Sequence, residues 1–145
     1  MYQKILVPVD DSDGAMRALA EACRLAEKTQ AAVCAVHIRE YASVAWGSTG
    51  LANNEANDEI IIRVQEIMRQ YPIESEVVGL DNTGEKVAKI ICREAKQRSC
   101  DLIIMGTHGL TGVMHMLMGS VAEGVLRHAK VPVMLIRQTE NDEIN

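Results

Sequence analysis

The sequence predicts an α/β protein: a five-stranded parallel sheet of order 3-2-1-4-5 between two helix layers, a Rossmann-like three-layer α/β/α sandwich. Short apolar runs alternate along the whole chain with segments of helical periodicity. Most of the apolar runs lack polar alternation, as strands covered on both faces do. Each pair of runs is joined by enough chain for a helical crossover, which parallel strands require.

Ile5-Leu6-Val7-Pro8-Val9 is the first strand, with Pro8 near its end, where a missing ladder bond is tolerated. Ser12 or Asp13 can cap a helix whose Ala15, Leu19, Ala22 and Ala26 share one face. Ala32 to Ile38 is the second strand. Arg39 to Asn54 has no clear period, contains Gly47, Gly50 and the only tryptophan, Trp46, and reads as a long surface loop that could fold over a ligand. Ile60, Ile61, Val64, Ile67, Met68 and Tyr71 recur at helical spacing until Pro72 stops them. Ile73 to Val78 alternates apolar and polar, as a less buried edge strand does. Thr83-Gly84 opens a helix bearing Val87, Ile90, Ile91 and Ala95 on one side. Leu102 to Met105 is the fourth strand, Val121 to His128 the last helix and Val131 to Ile136 the fifth strand. Residues 1–137 thus form one domain, followed by a polar tail over 138–145.

Composition narrows the function classes. Aromatics make up 3% of the 145 residues and phenylalanine is absent, so the core is built of Ile, Val, Leu, Ala and Met. A net charge of -5 argues against nucleic acid or an anionic membrane surface as the main partner. No apolar stretch approaches the ~18 residues of a membrane span, and the short run before Pro8 and Asp10 does not read as a secretory signal. Cys23, Cys34, Cys92 and Cys100 form no CxxC pair and no metal spacing, which predicts reduced, buried thiols in a cytoplasmic protein.

The most informative segment follows the fourth strand. Gly106 and Gly109 are separated by two residues, and nine more lead to Gly119-Ser120 at the start of the last helix. Glycines let backbone approach a ligand closely, and open N–H groups at a helix start attract anions. In a sheet of this order the strand order reverses between strands one and four, so ligands bind beyond Val9-Asp10 and Met105-Gly106. The same segment also reads as a loop with a helix cap, since Ser120-x-x-Glu123 matches a capping box. Neither the P-loop nor the dinucleotide fingerprint is present. His108 and His115 lack helical metal-site spacing, and His37 in a strand reads as a satisfied, partly buried imidazole. Met114, Met116 and Met118 read as adaptable packing under the loop.

With Lys4-Ile5-Leu6-Val7-Pro8-Val9-Asp10 at the start, Asp101 to Ser120 in the middle, and Val125-Leu126-Arg127-His128-Ala129 with Pro132-Val133 at the end, the chain resembles the universal stress protein family, specifically its ATP-binding branch. That family's ATP motif, Gly-x2-Gly-x9-Gly-Ser/Thr, is matched by Gly106, Gly109, Gly119 and Ser120. The resemblance implies an adenine nucleotide hydrolase-like fold that binds ATP, ADP or AMP, with Mg or Mn as a bridging cation. It implies that Pro8, Val9 and Asp10 line the adenine side, that Ile38 flanks the base and that Met105 borders the nucleotide. Gly106, Thr107, His108, Gly109, Leu110, Gly112, Gly119, Ser120 and Val121 would wrap ribose and phosphates. It also implies a homodimer through strand five, Val131 to Ile136, whose unpaired edge is apolar.

One position departs from many relatives, Leu110 standing where Arg or Lys follows the second glycine; Asp11, at a place where the family varies, adds a negative charge that a divalent cation could offset, with Asp11 as a candidate contact. No catalytic base or Walker-type lysine accompanies the cradle, which predicts a nucleotide-responsive regulatory module without efficient catalysis. The alternatives are a weak ATPase or self-phosphorylating enzyme, and a regulator acting through protein contacts alone. A phosphoacceptor receiver domain, with Asp10-Asp11, Asp81 and Thr107 in the roles of its acidic pair, acceptor and hydroxyl, shares the sheet but lacks the lysine and final helix after strand five.

Overall fold

The computed structural model describes residues 1–40, 54–108 and 118–137. In chain order these form β1 (Lys4–Val9), α1 (Asp13–Thr29), β2 (Ala32–Glu40), α2 (Asn54–Met68), β3 (Ser75–Asn82), α3 (Val87–Gln97), β4 (Leu102–Gly106), α4 (Ser120–His128) and β5 (Val133–Ile136). The strands lie parallel in the predicted order, β3-β2-β1-β4-β5. Successive residues of a strand face opposite sides of the sheet. Ile5, Val7 and Val9 therefore pack with Leu19, Ala22 and Val64 beneath α1 and α2, while Leu6 joins Val36, Ile91, Ile103 and Val125 beneath α3 and α4. Burying a Leu, Ile or Val fully is worth about 1.5–3 kcal/mol, so the two faces build a core without phenylalanine.

Ser12 is the cap of α1, its hydroxyl accepting the Ala15 N–H at 3.1 Å. At the opposite end of the sheet, the Asp101 carboxylate accepts the Gln3 N–H at 2.9 Å and the Lys4 N–H at 3.0 Å. One side chain thereby brackets the starts of β1 and β4. These main-chain bonds hold its carboxyl below the usual aspartate value, although partial burial pulls the other way.

Several boundaries differ from the sequence expectation. β3 runs from Ser75 to Asn82 rather than from Ile73 to Val78, and β2 continues through Arg39 to Glu40. The extension is made by main-chain pairing, Arg39 opposite Asp81 and Glu40 opposite Asn82, with an Arg39–Asp81 ion pair at 2.8 Å. As expected of an edge strand, β3 has no fully buried residue. Ile73 lies in a turn instead, its N–H bonded to the Tyr71 carbonyl. α2 begins at Asn54 and ends at Met68, before Pro72, with Gln70 and Tyr71 N–H groups closing a final tight turn. Thr83-Gly84 does not open α3; the Asn82 carboxamide accepts the Gly84 and Glu85 N–H groups and holds a turn that delays the helix to Val87. β5 starts at Val133 because Val131 precedes Pro132, whose carbonyl still accepts the Ile103 N–H.

Candidate functional site

β1 and β4 are neighbours, yet their paired register covers only Ile5–Leu102 and Leu6–Ile103. β1 meanwhile pairs with β2 up to Val9–His37, and β4 with β5 up to Gly106–Ile136. The carboxyl ends of the two central strands are therefore not paired with each other, and the chain reverses its winding at that gap, where open α/β sheets take ligands. Of the residues expected here, Val9 and Met105 are buried, while Pro8, Asp10, Gly106, Thr107, His108, Gly119 and Val121 are half-buried and Ser120 is exposed. Ile38 lies half-buried towards the end of β2 on the face of α3 and α4. Gly109, Leu110 and Gly112 lie outside the described residues, as do Trp46, His115, Met114 and Met116.

The glycines here bring backbone against backbone. A Cβ on Gly106 would stand 3.2 Å from the carbonyl carbon and oxygen of Gly14 in the first turn of α1. One on Gly14 would stand 3.3 Å from the His108 carbonyl oxygen, and one on Gly119 3.1 Å from the Thr107 carbonyl oxygen. The last contact is also a hydrogen bond, Gly119 N–H to Thr107 O at 2.7 Å. It pins together the two ends of the segment that separates β4 from α4. Thr107 is fixed in turn by its N–H to Ile136 O at 3.3 Å, and its hydroxyl meets His108 Nδ1 at 2.9 Å.

Ser120 does not cap α4, contrary to the capping-box reading. Gly119 occupies the cap position with extended backbone and has no side chain with which to bond the helix start. Ser120 is the first helical residue and is exposed. Glu123 N–H closes the first turn on Gly119 O at 3.0 Å, and the N–H groups before it precede the first intrahelical bond. They carry the positive end of the helix dipole.

The β1 side of the gap is acidic. Asp10 Oδ1 accepts the Ser12 N–H at 2.8 Å and turns the chain into α1, leaving its second oxygen outside that bond. Asp11 pairs with Arg63 of α2 at 3.2 Å, and Arg63 also lies 4.0 Å from Asp13. The extra negative charge is thus offset by a cation of the protein itself. Among the described residues no cluster of three His, Cys, Asp or Glu side chains is placed to hold a metal ion.

Sequence reasoning missed Gly14, Arg63 and Asn57. Gly14 carried a usable signal, because a glycine just inside a capped helix is a poor helix former that needs a packing reason. Arg63 and Asn57 carried none, since only the packing of α2 brings them to the rim.

This is an open-sheet α/β protein with glycine-lined backbone at its switch point. A model of the universal stress protein family matches residues 1–137, and the chain belongs to that family. It is 28% identical to the universal stress protein MJ0531 of Methanocaldococcus jannaschii, over 98% of this chain and 86% of that protein. A solved universal stress protein family structure from Burkholderia pseudomallei superposes with a TM-score of 0.76 at 28% identity, covering 93% of this chain and 96% of the other. The universal stress protein of Archaeoglobus fulgidus, solved in complex with dAMP, superposes with a TM-score of 0.72 at 27% identity, covering 93% and 98%. Among the described residues no helix is long and apolar enough to cross a membrane.

Proposed function

We propose that this chain binds an adenine nucleotide, ATP or its ADP and AMP forms, in the gap between β1 and β4, and acts in the cytoplasm as a nucleotide-responsive regulatory module of the stress response. The observation that carries the reading is the backbone arrangement at Gly106, Gly119 and Ser120: the two glycines bring β4, α1 and the start of α4 into backbone contact at the gap, and α4 begins there on a cap residue without a side chain, followed by the exposed Ser120. Such a site grips an anion with main-chain N–H groups and needs no lysine. The dAMP complex of the Archaeoglobus fulgidus relative supports the choice of ligand class. In this reading the base lies toward Pro8, Val9, Asp10 and Ile38, and the phosphates lie toward Thr107, Gly119 and Ser120.

A divalent Mg or Mn ion would be held chiefly by the phosphates, because Asp11, the candidate contact, is engaged by Arg63. The bound ion would neutralise phosphate charge. Efficient hydrolysis is not proposed: Arg63 faces two carboxylates, and His108 Nδ1 is engaged by Thr107. β5 supplies the proposed homodimer edge, where Met134 is 40% exposed, with Leu126 of α4 45% exposed on the same half of the sheet.

The test is calorimetric titration with AMP, ADP and MgATP, with mass spectrometry of any small molecule released on denaturation. Saturable binding by at least one nucleotide is expected; no heat and no released nucleotide would refute the reading. A single-turnover rate of about 1 per second or more would refute the non-catalytic assignment.

A further inference from the structure

His37 is a buried imidazole on β2, 4% exposed, on the sheet face covered by α1 and α2. It is bonded at both ends. Nδ1 lies 3.1 Å from the Val9 carbonyl oxygen, and Nε2 lies 2.7 Å from Oδ1 of Asn57, in the first turns of α2. A carbonyl oxygen can only accept, so Nδ1 carries the proton. The other nitrogen meets the Asn57 carboxamide, whose oxygen and nitrogen exchange places by a half-turn, so the link can form whichever way Nε2 is protonated. Val9 is the last residue of β1, immediately before Asp10, and its strand is no longer paired with β4 at this level. A second tie, Arg63 to Asp11, joins the same helix to the next stretch of chain.

We propose that His37 is a positioning residue for the nucleotide site: with Asn57 it clamps the Val9 carbonyl to α2 and so holds the base-facing end of β1, which lacks β4 as a lateral support. The inference rests on the adenine-nucleotide reading above and adds a residue that touches no ligand. A buried hydrogen-bond partner that loses its mate leaves the other group unsatisfied. Val9 stays paired with β2 at His37, so removing the imidazole leaves the ladder in place but takes away the side-chain bond that ties this strand end to α2. Because the clamp bears on the base side, its loss weakens every adenine nucleotide by the same factor, however many phosphates the nucleotide carries.

The experiment compares the parent protein with His37→Leu, His37→Asn and Asn57→Ala, titrating each with AMP and with MgATP. His37→Leu is expected to raise both dissociation constants by a common factor of about ten, the size set by one buried hydrogen bond. His37→Asn, whose amide can still donate toward Val9, should recover part of that loss. Nitrogen-15 NMR of the parent should show a proton on Nδ1 of His37. Should His37→Leu fail to fold, Asn57→Ala decides, with a smaller but equally phosphate-independent loss. Parent-like affinities in folded variants would overturn the proposal, as would a loss that grows from AMP to ATP or an Nδ1 without a proton. A parent protein that binds neither nucleotide would overturn the functional reading, and this one with it.

Discussion

Replacing Gly119 by alanine isolates the close backbone approach from any change in backbone conformation. Gly119 has φ -63° and ψ 157°, which every residue adopts without strain. The added Cβ would meet the Thr107 carbonyl oxygen at 3.1 Å and His108 Cα at 3.6 Å. The first distance is a few tenths of an ångström too short, and the oxygen cannot retreat freely, because it also accepts the Gly119 N–H at 2.7 Å. Crowding of this kind costs about 1–3 kcal/mol, and alanine is a poorer helix cap than glycine by up to about 1 kcal/mol. The lower entropy of the unfolded alanine chain contributes about 0.4–1 kcal/mol against glycine and adds to the stability of the variant. The net loss is therefore about 1–2 kcal/mol, or roughly 3–6 °C in Tm for a chain of this size. The proposed ligand feels more, because displacement of the Thr107 carbonyl tilts the start of α4, from which its N–H donors project. A loss of at least about tenfold in MgATP affinity is expected, since 1.4 kcal/mol suffices. Calorimetric melting and titration on one preparation measure both quantities. A variant that melts within 1 °C of the parent, a margin well inside the predicted shift, and binds MgATP equally well would refute the requirement for a bare backbone edge.

Asp101→Asn should cost about 1.5–3 kcal/mol at neutral pH, the worth of hydrogen bonds to a charged group. Because the folded carboxyl is depressed, that contribution is full above the unfolded aspartate value and fades as pH falls through the folded one; urea unfolding at pH 7 and pH 3 should show the gap between parent and variant closing in acid. Gly124→Ala would place a Cβ 2.6 Å from that of Ala88, forcing α3 and α4 apart, so a loss of about 1–2 kcal/mol is expected after the helix-propensity gain, partly restored by Ala88→Gly in a double-mutant cycle. The thiols of Cys23 and Cys34 are pushed up to about 11 and about 12, in both cases first by burial. Alkylation of the native protein at pH 8 should therefore reach half-exposed Cys92 first and the other thiols only on unfolding. Val133→Lys should yield monomers in light scattering, and persistence of a full dimer would remove β5 as the interface.

The fold was legible because its strands are apolar runs and its helices keep strict spacing; order, layers and the position of the switch point all followed. What escaped was structure made by backbone alone. Asp81 and Asn82 are strand residues although their side chains belong to turns, because β2 offers them a ladder. The glycine motif was legible in place but only partly in purpose. Gly106 and Gly119 read as making room for a ligand; the described structure adds a second use, letting α1, β4 and α4 touch. Ser120 illustrates the opposite error: the capping-box letters are present, but the extended residue at the helix entrance is Gly119, one position earlier. The four cysteines are free thiols, three of them buried, in line with their composition and spacing.

The bond between Gly119 and Thr107 also decides what the intervening stretch must contribute to folding. Its two anchorages are already held together, so strand and helix do not rely on that stretch to meet. Doubling its length would add only about 0.6 kcal/mol in closure entropy. The entrance to α4 is therefore set by its bond to the strand exit rather than by the length of chain between them, and a longer connection at this point should leave the melting temperature of the sheet nearly unchanged.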